Sequence, residues 1–182
     1  MHFVGLDLSL TGSGIVVLDE SGSVVATALD GWKLDRSASV REKIDRLVHI
    51  ASTVMGVVHG AREGGVVVGI EGYAYNQRGA TADLGELGGV VKTQLWLGFE
   101  VEPRIVAVST ARKLVFGNGK TKKDLVLPTL RDRGFVFEDH NVADAYVIAE
   151  AIRQQTVGGS DDKAVQGTGA RRVGNRRRKR RG

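Results

Sequence analysis

The chain has 182 residues, a formal charge of +5, 42% hydrophobic and 26% charged residues, and no cysteine. That is enough chain for one domain with a sizeable core and a globular composition. The missing cysteine excludes disulfides, thiolate catalysis and cysteine-built zinc sites, and fits a reducing compartment. No run approaches the roughly 18 apolar residues of a membrane span. The first residues enter a strand pattern with no signal-peptide flank, so a cytoplasmic protein without membrane association is expected. Charge is unevenly placed: residues 156–182 hold nine Lys/Arg against two Asp, a net +7, which leaves residues 1–155 at about −2. To bind a polyanion, such a body needs local basic clusters or cations held by its acids.

In chain order, residues 3–9, 14–19 and 22–30 read as three short strands with glycine-containing turns between them, an antiparallel meander. The first strand carries Asp7 into the turn Ser9-Leu10-Thr11-Gly12-Ser13-Gly14. Glycines 12 and 14 are expected to let the backbone turn tightly and to leave room beside Asp7 for something large and charged. Ser39-Val40-Arg41-Glu42 is a capping box opening a helix. Its expected apolar stripe is Val40, Ile44, Leu47, Val48, Ala51, Val54 and Val58. Val66 to Ile70 is a continuous apolar run, as in a strand covered on both faces, and it ends at Glu71.

The loop Gly72–Gly79 contains Tyr73 and Tyr75. A helix from about Ala80 to Leu97 follows, with Leu84, Leu87, Val91 and Leu95 inward. Its Gly85, Gly88 and Gly89 each cost roughly 1 kcal/mol against Ala, so another backbone is expected to approach closely there. Val101–Val108 reads as a strand, Thr110 as the cap of a short helix ending at Gly117, and Thr121 as the start of another that Pro128 limits or kinks. A last helix is expected from about Asn141 to Gln155. Beyond it lies a Gly/Ser/Asp-rich stretch and then the arginine-rich run 171–181, read as a disordered tail. The expected organisation is a domain over 1–155 and a basic tail over 156–182. Three strands, then alternating helices and strands, predict an α/β fold whose mixed sheet has three antiparallel strands extended by parallel ones. No G-x-G-x-x-G joins the first strand to a helix, so a dinucleotide fold is not expected.

Asp7, Glu71 and Asp144 hold comparable positions, at or near strand ends and on the inward side of the last helix. A carboxylate in a buried strand is costly unless it is paired or holds a cation. Three acids meeting in a half-buried cleft repel one another by a few kcal/mol per pair at low effective dielectric, and divalent cations remove that penalty. Oxygen donors without His/Cys clusters favour Mg²⁺ or Mn²⁺. Two such ions roughly 4 Å apart can clamp the attacking water and the leaving oxygen of a phosphodiester. Lys113, Lys120, Lys122 and Lys123 surround a glycine turn and a helix N-terminus, an arrangement that suits a phosphate.

Five stretches together resemble the RuvC Holliday-junction resolvases of the ribonuclease H-like superfamily. They are G-L-D-L-S-L-T-G-S-G around Asp7, V-V-V-G-I-E-G-Y around Glu71, residues 80–89, Arg112-Lys113…Gly117-Asn-Gly119-Lys120…Lys123, and N-V-A-D-A-Y around Asp144. The likeness covers roughly residues 3–153, and the small, divergent chain looks like a phage or prophage version in a bacterial or phage-infected host cytoplasm. The resemblance implies a homodimer that makes paired cuts in four-way DNA, with Mg²⁺ on Asp7, Glu71 and Asp144 and Mn²⁺ able to substitute. The family's fourth ligand lies three residues before the last Asp, where this chain has Asn141. His140 and Asp139 are the neighbouring alternatives, with His140 or Asn141 favoured over Asp139. The family's base-stacking aromatic matches Ala74, flanked by Tyr73 and Tyr75, either of which can replace it. Lys113 and Lys123 fall on DNA-contacting positions. The tail, with Arg176, Arg177 and Arg178, adds salt-sensitive affinity independent of sequence.

Three rivals stand beside this reading. One is a branch, flap or RNA–DNA hybrid nuclease of the same fold, and another a non-catalytic junction binder, which Asn141 at a ligand position makes conceivable. The third is an actin-like ATPase, suggested by D-x-S-x-T-G-x-G but lacking the second phosphate loop and adenosine motif of that fold.

Overall fold

A computed structural model describes residues 1–72 and 81–158. Tyr73 and Tyr75, Arg176 to Arg178 and the rest of the expected tail from residue 159 lie outside the described residues. Ten elements follow one another: β1 (His2–Asp7), β2 (Ser13–Leu18), β3 (Val24–Asp30), α1 (Val40–Ala61), β4 (Val66–Glu71), α2 (Thr81–Phe99), β5 (Arg104–Val106), α3 (Val108–Phe116), α4 (Lys123–Asp132) and α5 (His140–Val157). The sheet order is β3-β2-β1-β4-β5, antiparallel across β1–β2 and β2–β3, parallel across β1–β4 and β4–β5. This is the expected mixed sheet.

Strand alternation divides the core in two. Val4 and Leu6, with Ile15, Val17, Val68 and Ile70, face α1 and α2, while Phe3, Val16 and Leu18 face the layer of α3, α4 and α5. Helix α5 lies directly on bare backbone. A Cβ at Gly5 would lie 2.0 Å from the Ala145 carbonyl oxygen, one at Gly14 2.1 Å from that of Asn141, and one at Gly69 2.9 Å from Ile148. Gly5 and Gly69 are register partners across β1–β4. Between them they open the trough into which α5 settles.

Several local expectations need correction. Helix α1 starts from the predicted capping box, with Ser39 and Glu42 bonded reciprocally. Its buried face, however, is Leu47, Ile50, Ala51, Val54, Val58 and Ala61, and Val40, Ile44 and Val48 are exposed. Spacing of i, i+4 walks around the helix, so 40, 44 and 48 drift off the face that meets the sheet. The strand expected over Val101–Val108 shrinks to three residues, since Val108 already begins α3. Ala107 caps that helix without a side-chain bond and Thr110 lies in its first turn. Helix α4 is capped by Lys122; Thr121 instead donates its hydroxyl to the Asn118 carbonyl at 2.8 Å. Pro128 lies inside α4. Among the described residues no other part of the chain comes within 4 Å of the Cβ positions at Gly85 or Gly89, so the close backbone approach expected at these two glycines is not found.

Candidate active site

The alternation that sorts the core also places the acids. Asp7 ends β1 and Glu71 ends β4, each two residues beyond the paired glycines and therefore on the α5 face. Asp144 is the fifth residue of α5 and is 7% exposed. Its helix is seated by Gly14, the register partner of Asp7. Thus the room expected beside Asp7 at Gly14 is filled by the α5 backbone, and at Gly12 by Asn141 Nδ2, 3.2 Å from a Cβ placed there.

The three carboxylates interact strongly. Burial, then the charges of Glu71 and Asp144, push Asp7 from the usual 3.8 up to about 8. Glu71 is raised as well, by burial and then by Asp144. A hydrogen bond between the two carboxyls raises Asp7 and lowers Glu71, leaving the shared proton on Asp7. Near neutral pH the cluster therefore retains a proton, because burial and the mutual repulsion of the three carboxylates outweigh the charge of Lys123.

Two cations already hold Asp144. Arg112 Nη2 lies 3.3 Å from Oδ1 and Lys123 Nζ 3.1 Å from Oδ2. Arg112 also donates to the Thr121 carbonyl at 2.9 Å, tying the 117–122 turn to α5. Partial burial works against the charge of Lys123, but its bond to Asp144 and the nearby charges of Asp144, Asp7 and Glu71 outweigh that and raise its pKa. The same ammonium is 3.4 Å from Asn141 Oδ1, while Asn141 Nδ2 donates to the Gly12 carbonyl at 2.7 Å.

Among the alternatives for a fourth ligand, Asn141 presents an oxygen to this cluster. His140 is exposed, and Asp139 caps its own helix by accepting the Asn141 N–H at 2.7 Å. Lys113, Lys120 and Lys122 are exposed around the turn and the start of α4. Arg112 carries no site role in the sequence reading. The signal for it was its place beside Lys113 on a helix that packs against α5.

The donor set of carboxylate and amide oxygens suits a hard divalent ion. The retained proton on Asp7 and the ammonium held by Asp144 and Asn141 both mark positions where positive charge is drawn in. Among the described residues no three His, Cys, Asp or Glu side chains already stand as a ligand set. In this side-chain arrangement Lys123 takes up donors that an ion needs. The donor chemistry fits such an ion, with movement of the exposed Lys123 side chain as the condition.

No protein-family model and no curated protein matches the sequence. Solved structures do match. The chain is similar to the Thermus thermophilus RuvC structure, with a TM-score of 0.69 and 20% identity over 87% of this chain and 97% of that one. It is also similar to T. thermophilus RuvC in complex with Holliday junction substrate, with a TM-score of 0.68 and 18% identity over 87% and 96%. No helix among the described residues is long and apolar enough to cross a membrane. The sheet order, its covering helices and these two likenesses establish that the chain has the RuvC fold, within the ribonuclease H-like class.

Proposed function

We propose that this protein is a metal-dependent endonuclease that cuts four-way DNA junctions by phosphodiester hydrolysis, acting as a homodimer that makes paired cuts. One observation carries the reading: Asp7, Glu71 and Asp144, far apart in sequence, interact at one sheet edge where positive charge is in demand. Asp7, Glu71, Asp144 and Asn141 hold Mg²⁺, with Mn²⁺ able to substitute. The ions supply activation of water and stabilisation of the charge on the departing oxygen. Arg112 stays on Asp144 and keeps its carboxylate oriented. Lys123, displaced from Asp144, turns with Lys120 and Lys122 toward a phosphate. The backbone N–H groups at the start of α4 face the same anion. Lys113 and the arginines 176–178 add contacts to the DNA backbone.

The test is cleavage of a synthetic four-way junction with Mg²⁺, beside flap and RNA–DNA hybrid substrates of the same sequence. Faster cutting of flap or hybrid would reassign the substrate within the same chemistry. One specific observation favours a second reading, a junction binder that does not cut: both carboxylate oxygens of Asp144 are already engaged by Arg112 and Lys123. Tight junction binding in chelator with no cutting on addition of Mg²⁺ or Mn²⁺ would select it.

A further inference from the structure

The acid cluster uses only the α5 side of the sheet edge. On the α1 side of that edge, Asp30 ends β3 opposite Ser13, and Gly31, at φ 132°, turns the chain into the loop that carries Trp32. A Cβ at Gly31 would lie 2.9 Å from the Gly12 nitrogen. The Gly12 carbonyl in turn accepts from Asn141, so one turn of backbone links the Trp32 loop to the acid site.

Trp32 is 38% exposed and is held from two sides. Arg46 Nη1 donates to its carbonyl at 3.3 Å, and the His49 ring meets the indole edge-on at 5.2 Å between centroids. His49 is fixed by Asp30, with Nε2 3.2 Å from Oδ1, and Asp30 also accepts the Thr53 hydroxyl. Arg46, His49 and Thr53 share one flank of α1. An exposed indole anchored in this way loses little freedom on binding, which favours a stacking partner.

Arg46 is 8% exposed, its Nε has no hydrogen-bond partner, and no carboxylate lies within ion-pair distance of it among the described residues. A buried guanidinium without a counter-charge is costly. Arg46 sits on the Trp32 carbonyl, and Lys33 and Arg36, which follow Trp32 in the same loop with Asp35 between them, are exposed. Cations around an exposed aromatic ring form the pattern that binds nucleic-acid strands whose bases are unstacked.

We infer that Trp32, with the charges of Arg46, Lys33 and Arg36 about it, is a second DNA contact that stacks an unpaired base at the branch point and draws in its phosphate. This rests on the junction reading above. It adds to that reading a specificity element on the α1 side of the sheet edge, remote in sequence from the Tyr73–Tyr75 loop.

The chain has two tryptophans, so Trp96→Phe leaves Trp32 as the sole indole emitter. The probe is a synthetic four-way DNA junction in chelator, with binding followed separately by anisotropy of a labelled arm. Trp32 emission should be quenched by the junction and far less by a duplex of the same length. Trp32→Ala should weaken junction binding roughly 5- to 150-fold, the factor expected of one stacked base, with little change on duplex. Trp32→Phe should restore most of it. Junction binding with unchanged Trp32 emission, equal quenching by duplex, or full affinity in Trp32→Ala would overturn the inference and leave the junction reading standing. Absence of junction binding by the unaltered protein would overturn both.

Discussion

Lys123 Nζ lies 3.1 Å from Asp144 Oδ2 and so occupies, with a movable ammonium, a place among the acids that suits a bound cation. Removing it has two opposed effects. Lys123→Gln frees Asp144 Oδ2 and Asn141 Oδ1 while Arg112 keeps Asp144 Oδ1, so Mg²⁺ binding should tighten by a few-fold. Loss of one phosphate contact should lower the magnitude of the salt slope of junction binding by about 0.9. Calorimetric titration of Mg²⁺ and a salt series of junction affinities read the two separately. Weaker Mg²⁺ binding in this variant would show that the lysine supports the acids instead of competing with the ion.

The proton on Asp7 predicts the pH dependence of the metal-free protein. Folded Asp7 titrates at about 8 against an ordinary 3.8, so the folded chain binds more protons than the unfolded one between those values. Stability should therefore be greatest below about pH 4 as far as this group is concerned, and be lost as pH rises through 8. Thermal unfolding in chelator from pH 5 to pH 9 should show a falling midpoint that added Mg²⁺ restores. A flat profile would mean that Asp7 does not carry the buried charge.

Asp7→Asn separates stability from activity. The amide removes a buried charge that is repelled by Glu71 and Asp144, so the metal-free variant should gain about 1–3 kcal/mol near pH 8. It should bind junction about as well as the unaltered protein and not cut it. Cleavage at an undiminished rate would refute the catalytic assignment, whatever the stability result.

Two kinds of glycine should respond in opposite ways to alanine. Gly5→Ala drives a methyl into the Ala145 carbonyl and should cost about 3 kcal/mol or more, because α5 has to lift from the sheet. Gly85→Ala meets open space on α2 and should stabilise by about 1 kcal/mol. Denaturant unfolding of the two variants checks both signs.

The mixed sheet and the three acids were legible in the sequence because the apolar runs of two strands end in Asp7 and Glu71, and Asp144 stands among the apolar residues of the last helix. The pairs Gly5-Leu6-Asp7 and Gly69-Ile70-Glu71 repeat one pattern, a bare position under the helix and then an acid on the same face. What stayed hidden depends on contacts between distant segments. Arg112 looks like another basic residue on an exposed helix until α3 is packed against α5. Val40, Ile44 and Val48 satisfy a helical period, but only the placement of α1 decides which side of the helix is covered. The run Val101–Val108 has strand composition throughout. It pairs only over Arg104–Val106, opposite Gly69 to Glu71, before turning into α3.

Helix α5 on its glycine trough has a consequence for how far such a chain can diverge. With main chain touching main chain beneath Ala145 and Asn141, the distance from Asp144 to the strand ends is set by atoms every sequence shares, not by the size of intervening side chains. Surface residues and loops are then free to be replaced over evolutionary time without detuning the acids, provided the few bare positions persist. A survey of distant homologues should find Gly5, Gly14 and Gly69 outlasting most of the apolar residues around them.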